Sequence, residues 1–404
     1  MSLAPWRRNV AVTVALVFVV FTAFAFVIPF LPLYVRQLGV RDERTVALWA
    51  GVLIGVSPLL AGLMAPVWGR VADRHGHRWM AARALFSYVL ILLLSAAVTN
   101  VWQLFAARVG IGLFGGIGPL GLAMATSLAP REETGKAVGL VQAAQILAAA
   151  VGPVTGGLMA DTVGIRATFV ATSAVCALAL GLLVFYQPPP LAEAAGEERE
   201  SFAVLFRLPA MVPMLVALFL VNFVGRSFTP ILHLHLRDLG VAPTALASSI
   251  GLLISCYSVA AAASATLLGR ATRSRPPRQL LIVSLVLGAL TVLPMALVGR
   301  FSTLLVLAGV LGLVSGGALT LCYTMGGLLA GASRRAAAFG LFSAAALAGG
   351  SVSPAVAGYL VRFDLRAIYY LDAALLVGLA LALLAGALPA GAAAVTPSAE
   401  EAAT

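Results

Sequence analysis

Twelve apolar runs, each long enough to cross about 30 Å of hydrocarbon as a helix, dominate this 404-residue chain. They lie near residues 10–35, 45–68, 79–98, 101–129, 134–160, 165–186, 210–236, 243–268, 279–298, 302–330, 335–361 and 366–388, divided by short polar or Gly/Pro punctuation. In lipid every backbone N–H and C=O must be bonded within its own segment, so runs of this length are read as helices. Apolar residues make up 61% of the chain and charged residues 10%, a balance no water-soluble domain of this size keeps. The first run follows Arg7 and Arg8 but is too long for a secretory leader. It exits through Pro32, Tyr34 and Arg36 instead of a small-residue cleavage site, so it is expected to be retained. Cys176, Cys256 and Cys322 fall inside runs with no paired spacing, as buried small hydrophobes do, and no metal or disulfide is expected.

Basic residues set the expected orientation. With the N-terminus inside, the cytoplasmic segments hold Arg7, Arg8, Arg70, Arg74, Arg78, Arg131, Lys136, Arg270, Arg273, Arg275, Arg278, Arg334 and Arg335. The outer loops hold fewer: Arg36, Arg41, Arg44, Arg166, Arg237, Arg300, Arg362 and Arg366. Both termini are therefore expected in the cytoplasm. The net charge of +11 is explained by these loops, with no nucleic-acid partner.

Between the sixth and seventh runs the texture changes to "QPPPLAEAAGEERESF", proline-rich and then acidic. The reading is an all-α membrane protein of two six-helix bundles, 1–186 and 210–388, joined by a cytoplasmic linker at 187–209 and followed by a disordered tail at 389–404. The halves echo each other. "IPFLPLYVRQLGV" at 28–40 returns as "TPILHLHLRDLGV" at 229–241, with seven of thirteen positions identical. "LFAARVGIGLFGG" from Leu104 pairs with "LLVLAGVLGLVSGG" from Leu304. Gly139, Ala148, Gly152, Pro153, Gly156 and Gly157 are matched at the same spacings by Gly340, Gly349, Ser353, Pro354, Ala357 and Gly358. Three segments in one register imply two related halves, the arrangement by which transporters build a central site that each half exposes in turn.

The second-to-third loop, "GRVADRHGHR", resembles the hallmark loop of the major facilitator superfamily, carried by Gly69, Arg70, Asp73, Arg74, Gly76 and Arg78. The resemblance covers nearly the whole chain and implies a twelve-helix fold in two pseudo-symmetric bundles. It further implies that Asp73, with Arg74, latches the inner gate against a helix start of the other half, where a carboxylate is stabilised by free N–H groups. The second copy, "GRATRSRPPR", has Arg273 where an aspartate would stand, so one latch is expected and not two. The fifth run, with Gly139, Gly152, Pro153, Gly156 and Gly157, resembles the antiporter motif of twelve-helix drug:proton exporters, with Ala148 at one usual glycine. With "WRRN" before the first run and the exit sequence after it, the chain is most similar to the MdtG-like branch of bacterial multidrug exporters.

Ionisable groups within the bilayer need a reason. Arg108 matches the superfamily's fourth-helix arginine, and reads either as a cavity residue or as a structural arginine bonded to carbonyls. Asn222, Arg226, Thr229 and His233 recur at spacings that share one helical face, as a stripe turned to an aqueous interior does. Phe21, Phe24, Gln142, Gln145, Tyr257 and Tyr323 either complete a permissive pocket or pack between helices. No carboxylate falls in the middle of a run, so candidates for carrying a proton are Asp161, His233 and Asp372.

These readings amount to a monomeric inner-membrane secondary transporter exporting amphipathic small molecules, anionic or neutral, by proton antiport. A metabolite importer or facilitator on the same fold and a non-transporting membrane sensor are the alternatives. No Gly-x4-Gly-Lys-Ser/Thr loop occurs, and neither an enzymatic reaction nor a cofactor is expected.

Overall fold

The computed structural model describes residues 5–126, 129–130, 133–187, 206 and 210–386. Apart from Gln187 and Phe206, the expected linker lies outside the described residues, and so does the expected tail. The described chain is helical throughout. We number α1 Pro5–Val27, α2 Leu31–Gln37, α3 Glu43–His75, α4 His77–Ala97, α5 Val101–Phe114, α6 Ile117–Thr126, α7 Thr134–Val163 and α8 Ile165–Leu182. The second half comprises α9 Met211–Ser227, α10 Leu232–Asp238, α11 Leu246–Ala271, α12 Pro277–Met295, α13 Phe301–Ser315, α14 Ala318–Leu360 and α15 Ala367–Leu384. Eleven segments of the described residues are long and apolar enough to span a membrane, with α5 a shorter apolar helix beside them.

Local chemistry sets the breaks. Asp42 caps α3 by accepting from the Thr45 N–H at 2.8 Å, and Asn100 caps α5 by accepting from the Gln103 N–H at 3.0 Å. Gly76, at φ +84°, divides α3 from α4 in a conformation that a side chain would strain. The fourth run is broken where Gly116 takes φ +117°, and the Tyr88 hydroxyl accepts from the Gly116 N–H at 3.2 Å. The tenth and eleventh runs share the single helical stretch α14, which folds back on itself. Tyr323 stacks on Phe339 with centroids 5.7 Å apart, whereas sixteen residues of straight helix would separate them by about 24 Å.

Each half has its own apolar core, one built around Leu16, Phe30, Tyr34, Leu85 and Phe169, the other around Met214, Leu232, Leu285, Leu311 and Tyr369. Two residues cross over: Ala47 of the first half belongs to the second core, and Ala247 of the second half to the first. They mark the two principal helix crossings between the halves, α3 against α14 and α11 against α7.

The two crossings are built alike. A Cβ on Gly51 would overlap the Pro354 carbonyl, and a Cβ on Gly251 would overlap the Pro153 carbonyl. Likewise a Cβ on Gly358 would meet the Ala47 carbonyl, and one on Gly157 the Ala247 carbonyl. Gly55 lies against the Ser351 carbonyl, and at the matching place Ser255 accepts from the Val154 N–H at 3.2 Å. Backbones this close bring many atoms into dispersion contact, which is what holds helices together where lipid removes the hydrophobic drive. All these contacts fall toward one end of the bundle, the end carrying Asp42 and Asp238. Along α3 the close approaches continue only to Gly62, whose Cβ would sit 3.6 Å from Leu347 Cδ1. Beyond it Leu63 and Val67 are exposed. The molecule is sealed at one end and parted at the other.

Replacing Gly157 by valine is expected to leave helix content and membrane insertion intact while forcing the sealed end apart. A longer spin-label distance between the exposed, equivalent positions Thr99 and Gly299 at that end would report it, and an unchanged distance would contradict the packing argument.

Candidate functional site

The stripe on α9 and α10 splits in two. Asn222 and Arg226 line a cavity of about 220 Å³ together with Tyr257, Ser315 and Leu376. Arg226 stands fifteen residues, roughly 22 Å, into its span, and part of its surface is open to this cavity. Room for it comes from α14: a Cβ on Gly350 would lie 2.9 Å from Asn222 Oδ1 and 3.5 Å from Arg226 Cγ. Thr229 opens a short 3-10 turn, and His233 leaves the stripe for the seal, where it is 2% exposed.

Arg108 is 8% exposed on α5. Its backbone carbonyl accepts from the Ser57 hydroxyl at 2.7 Å, and its guanidinium has neither an acidic nor a carbonyl partner among the described residues. Gln142 is exposed and Gln145 half-buried on α7. The remaining aromatic candidates are held by neighbours. Phe24 meets Tyr88 edge-on at 4.7 Å, Phe21 packs beside Val141 and Ala144, and Tyr323 donates to Ser343 at 3.3 Å while stacking on Phe339. A larger cavity, about 700 Å³, runs between α1 and α7 at the parted end, apolar except for Arg7 and Lys136, and contains none of these residues.

The three proton candidates occupy different settings. Asp372 is fully buried on α15; one oxygen accepts from the Ser227 hydroxyl, and the other has no hydrogen-bond partner. Its burial is deeper than a position five residues into the last span suggests. Asp161, near the end of α7, accepts from the backbone N–H of Ser248 at 2.7 Å and of Ala247 at 3.3 Å. A carboxylate of one half thus caps the first turn of α11 in the other. That is the geometry expected of Asp73, found at the sealed end and on a different residue. Arg70, Arg74 and Arg78 are exposed at the parted end, where Arg70 Nε donates to the Pro66 carbonyl at 3.2 Å, and the Asp73 side chain lies outside the described residues.

The fifth-run glycines divide their work. Gly152 and Gly156 press α7 onto Ala25 and Phe26 of α1, Gly157 faces α11 across the seal, and Gly139 has open space around it. Sequence reading missed Glu43, the carboxylate on which Arg36 and Arg237 converge. The signal was present, since these two arginines are the paired arginines of the repeated exit sequence. Gly51 and Gly251, 200 residues apart, were legible by the same offset.

The profile described as Major Facilitator Superfamily matches residues 13–248 and 214–403. The chain is 32% identical over 324 residues to a multidrug resistance protein MdtG of Salmonella paratyphi A, covering 79% of this chain and 80% of that one. A multidrug resistance protein MdtG of Yersinia enterocolitica is also 32% identical over 324 residues, covering 79% and 78%. The fold of this chain is similar to that of a bacterial homolog of the human lysosomal transporter Spinster in an inward-facing, occupied crystal structure. The TM-score is 0.78 at 16% identity, over 95% of this chain and 97% of that one.

Asp161→Ala removes two bonds that charge makes worth about 1.5–3 kcal/mol each when well buried, less here because the site is half-open. Amide exchange across residues 243–250 is expected to quicken at least tenfold, and unchanged protection would contradict the capping role.

Proposed function

The chain belongs to the major facilitator superfamily, and from that premise we propose that it is a multidrug exporter working by alternating access with proton antiport. The observation that carries the reading is the one-sided seal: two halves in close backbone contact at one end and parted at the other, with an arginine-lined cavity in the second half. A rocking motion about the central site converts this state into its opposite. The chain is a transporter of the inner membrane and not an enzyme. We read the sealed end, sparse in basic residues, as the outer one; on that reading the parted end faces the cytoplasm, both termini lie there, and cargo is taken up from inside. When the molecule turns over, Asp73 is the residue we assign to latching the inner end, as Asp161 caps across the outer one.

Charge narrows the cargo. Neither Arg108 nor Arg226 has an acidic partner among the described residues, and both stand where low-dielectric walls strengthen a field. Asp372 is engaged with Ser227 inside the second core. No acidic residue lines the Arg226 cavity, which is therefore positive, and anionic or neutral amphiphiles fit it better than permanent cations. Tyr257 and Asn222 supply an apolar face and a hydrogen-bonding handle beside Arg226.

In proteoliposomes with an imposed proton gradient, drug movement is expected to stop when a protonophore collapses the gradient. Matched anionic, neutral and cationic amphiphiles should compete in that order, and Arg226→Gln should weaken the anionic competitor about tenfold while sparing the neutral one. Transport insensitive to the protonophore would remove the antiport reading. Stronger competition by cations would remove the charge preference.

A further inference from the structure

Within the seal two buried polar atoms, one from each half, face each other without a hydrogen bond. His233 Nδ1 lies 2.9 Å from the Pro230 carbonyl oxygen, which can only accept, so Nδ1 carries the hydrogen. The other ring nitrogen, Nε2, faces Glu43 Oε2 at 3.8 Å. Both atoms are buried and neither has a hydrogen-bond partner. With neutral imidazole and ionised carboxylate, two lone-pair-bearing atoms would confront each other out of water with no donor between them. One added proton turns the contact into imidazolium against carboxylate, or imidazole against carboxylic acid, and either arrangement attracts. Glu43 comes from α3 in the first half and His233 from α10 in the second, so the facing pair exists only while the end is sealed.

We propose that Glu43 and His233 form a proton-binding pair assembled by closure of the outer end and dismantled by its opening. As the halves part, each side chain passes to water and the proton leaves on the outer side. The pair thus makes the outer gate sensitive to the pH on its own side; it does not carry the coupling proton of the antiport reading above, which must enter the cell as drug leaves. Both groups are needed because each alone, once hydrated, has no reason to hold a proton more tightly in one state than in the other.

The charged groups facing the pair among the described residues are Arg36 from α2 and Arg237 from the histidine's own helix, both reaching Glu43 Oε1. They oppose a further positive charge, but their side chains are 51% and 38% exposed, so water screens them, whereas Nε2 and Oε2 meet in a dry contact. From α7, Asp161 is turned to the first turn of α11. Asp42, next to Glu43, is bonded by the Thr45 hydroxyl and N–H, which holds its carboxyl below the usual value and out of the relevant range. His235 points away, its Nδ1 2.7 Å from the Tyr369 hydroxyl.

The sign follows from linkage. A proton bound only in the sealed state stabilises the seal at low pH, and that stability is lost as pH rises through the range in which the pair releases it. The sealed-to-open ratio changes by up to about tenfold per pH unit within that window. The test is a pH series from about 5 to 8 on the full chain in nanodiscs, following the distance between spin labels at Thr99 and Gly299 without any substrate. The sealed population is expected to fall with rising pH, to lose this dependence in Glu43→Gln and separately in His233→Gln, and to keep it in His235→Gln. A sealed population independent of pH in the unmodified chain would overturn the proposal. So would variants that shift the population equally at every pH, since that is what a purely structural contact does. Failure of proton antiport with pH-dependent sealing intact would instead remove the transport reading and leave the pair standing.

Discussion

Close backbone crossing between the two halves is the contact on which the rest of this structure depends. At α3–α14 and at α7–α11 a glycine of one helix lies against the carbonyl of a proline in the other, Gly51 on Pro354 and Gly251 on Pro153. The pairing is reciprocal because the glycines and the prolines are related by the same internal repeat. A helix interface of this kind has two stable arrangements and little between, since a few tenths of an ångström at a backbone contact cannot be absorbed by a side chain turning aside. Bistability is what alternating access requires, and it is written here in residues that lack a Cβ.

Around those crossings the halves diverge in chemistry. The repeated exit helices deliver Arg36 and Arg237 symmetrically, yet both converge on one carboxylate, Glu43, whose counterpart position in the second half is Thr244. The histidine facing Glu43 stands where the first half has Pro32. Asp161 likewise caps α11 from one side only, among the described residues. The scaffold is duplicated, while these ionisable groups are single.

Much of this was legible in the sequence, and the reasons are specific. Run length and hydropathy gave the helices, and the offset of 200 or 201 residues gave the two halves. Fixed Gly and Pro spacing gave the crossing segments, though not which helix each would meet. Arg226 was placed by its spacing from Asn222, because a helical face is a local property. The fate of His233 was not, since the 3-10 turn at Thr229–Ile231 rotates the chain before it and breaks the stripe's register. Glu43 was overlooked because a charge at a helix start reads as ordinary capping until a partner from a distant segment is seen. Asp372 was read only as a carboxylate away from the middle of its run, and the packing of α15 on α9 reveals it as fully buried against Ser227. Local pattern announces helices and faces; contacts between segments 190 residues apart need the fold.

The central claim is that one end opens as the other closes about the glycine crossings. Its most direct measurement is a pair of distances in the same preparation: Thr99 to Gly299 at the sealed end, and Trp79 to Gln279 at the parted end, recorded with and without a transported amphiphile and across the proton gradient. The account predicts opposite changes, the first distance lengthening whenever the second shortens, with Gly51→Val suppressing both together. Distances that vary independently, or a parted end that closes while the sealed end stays shut throughout transport, would contradict it.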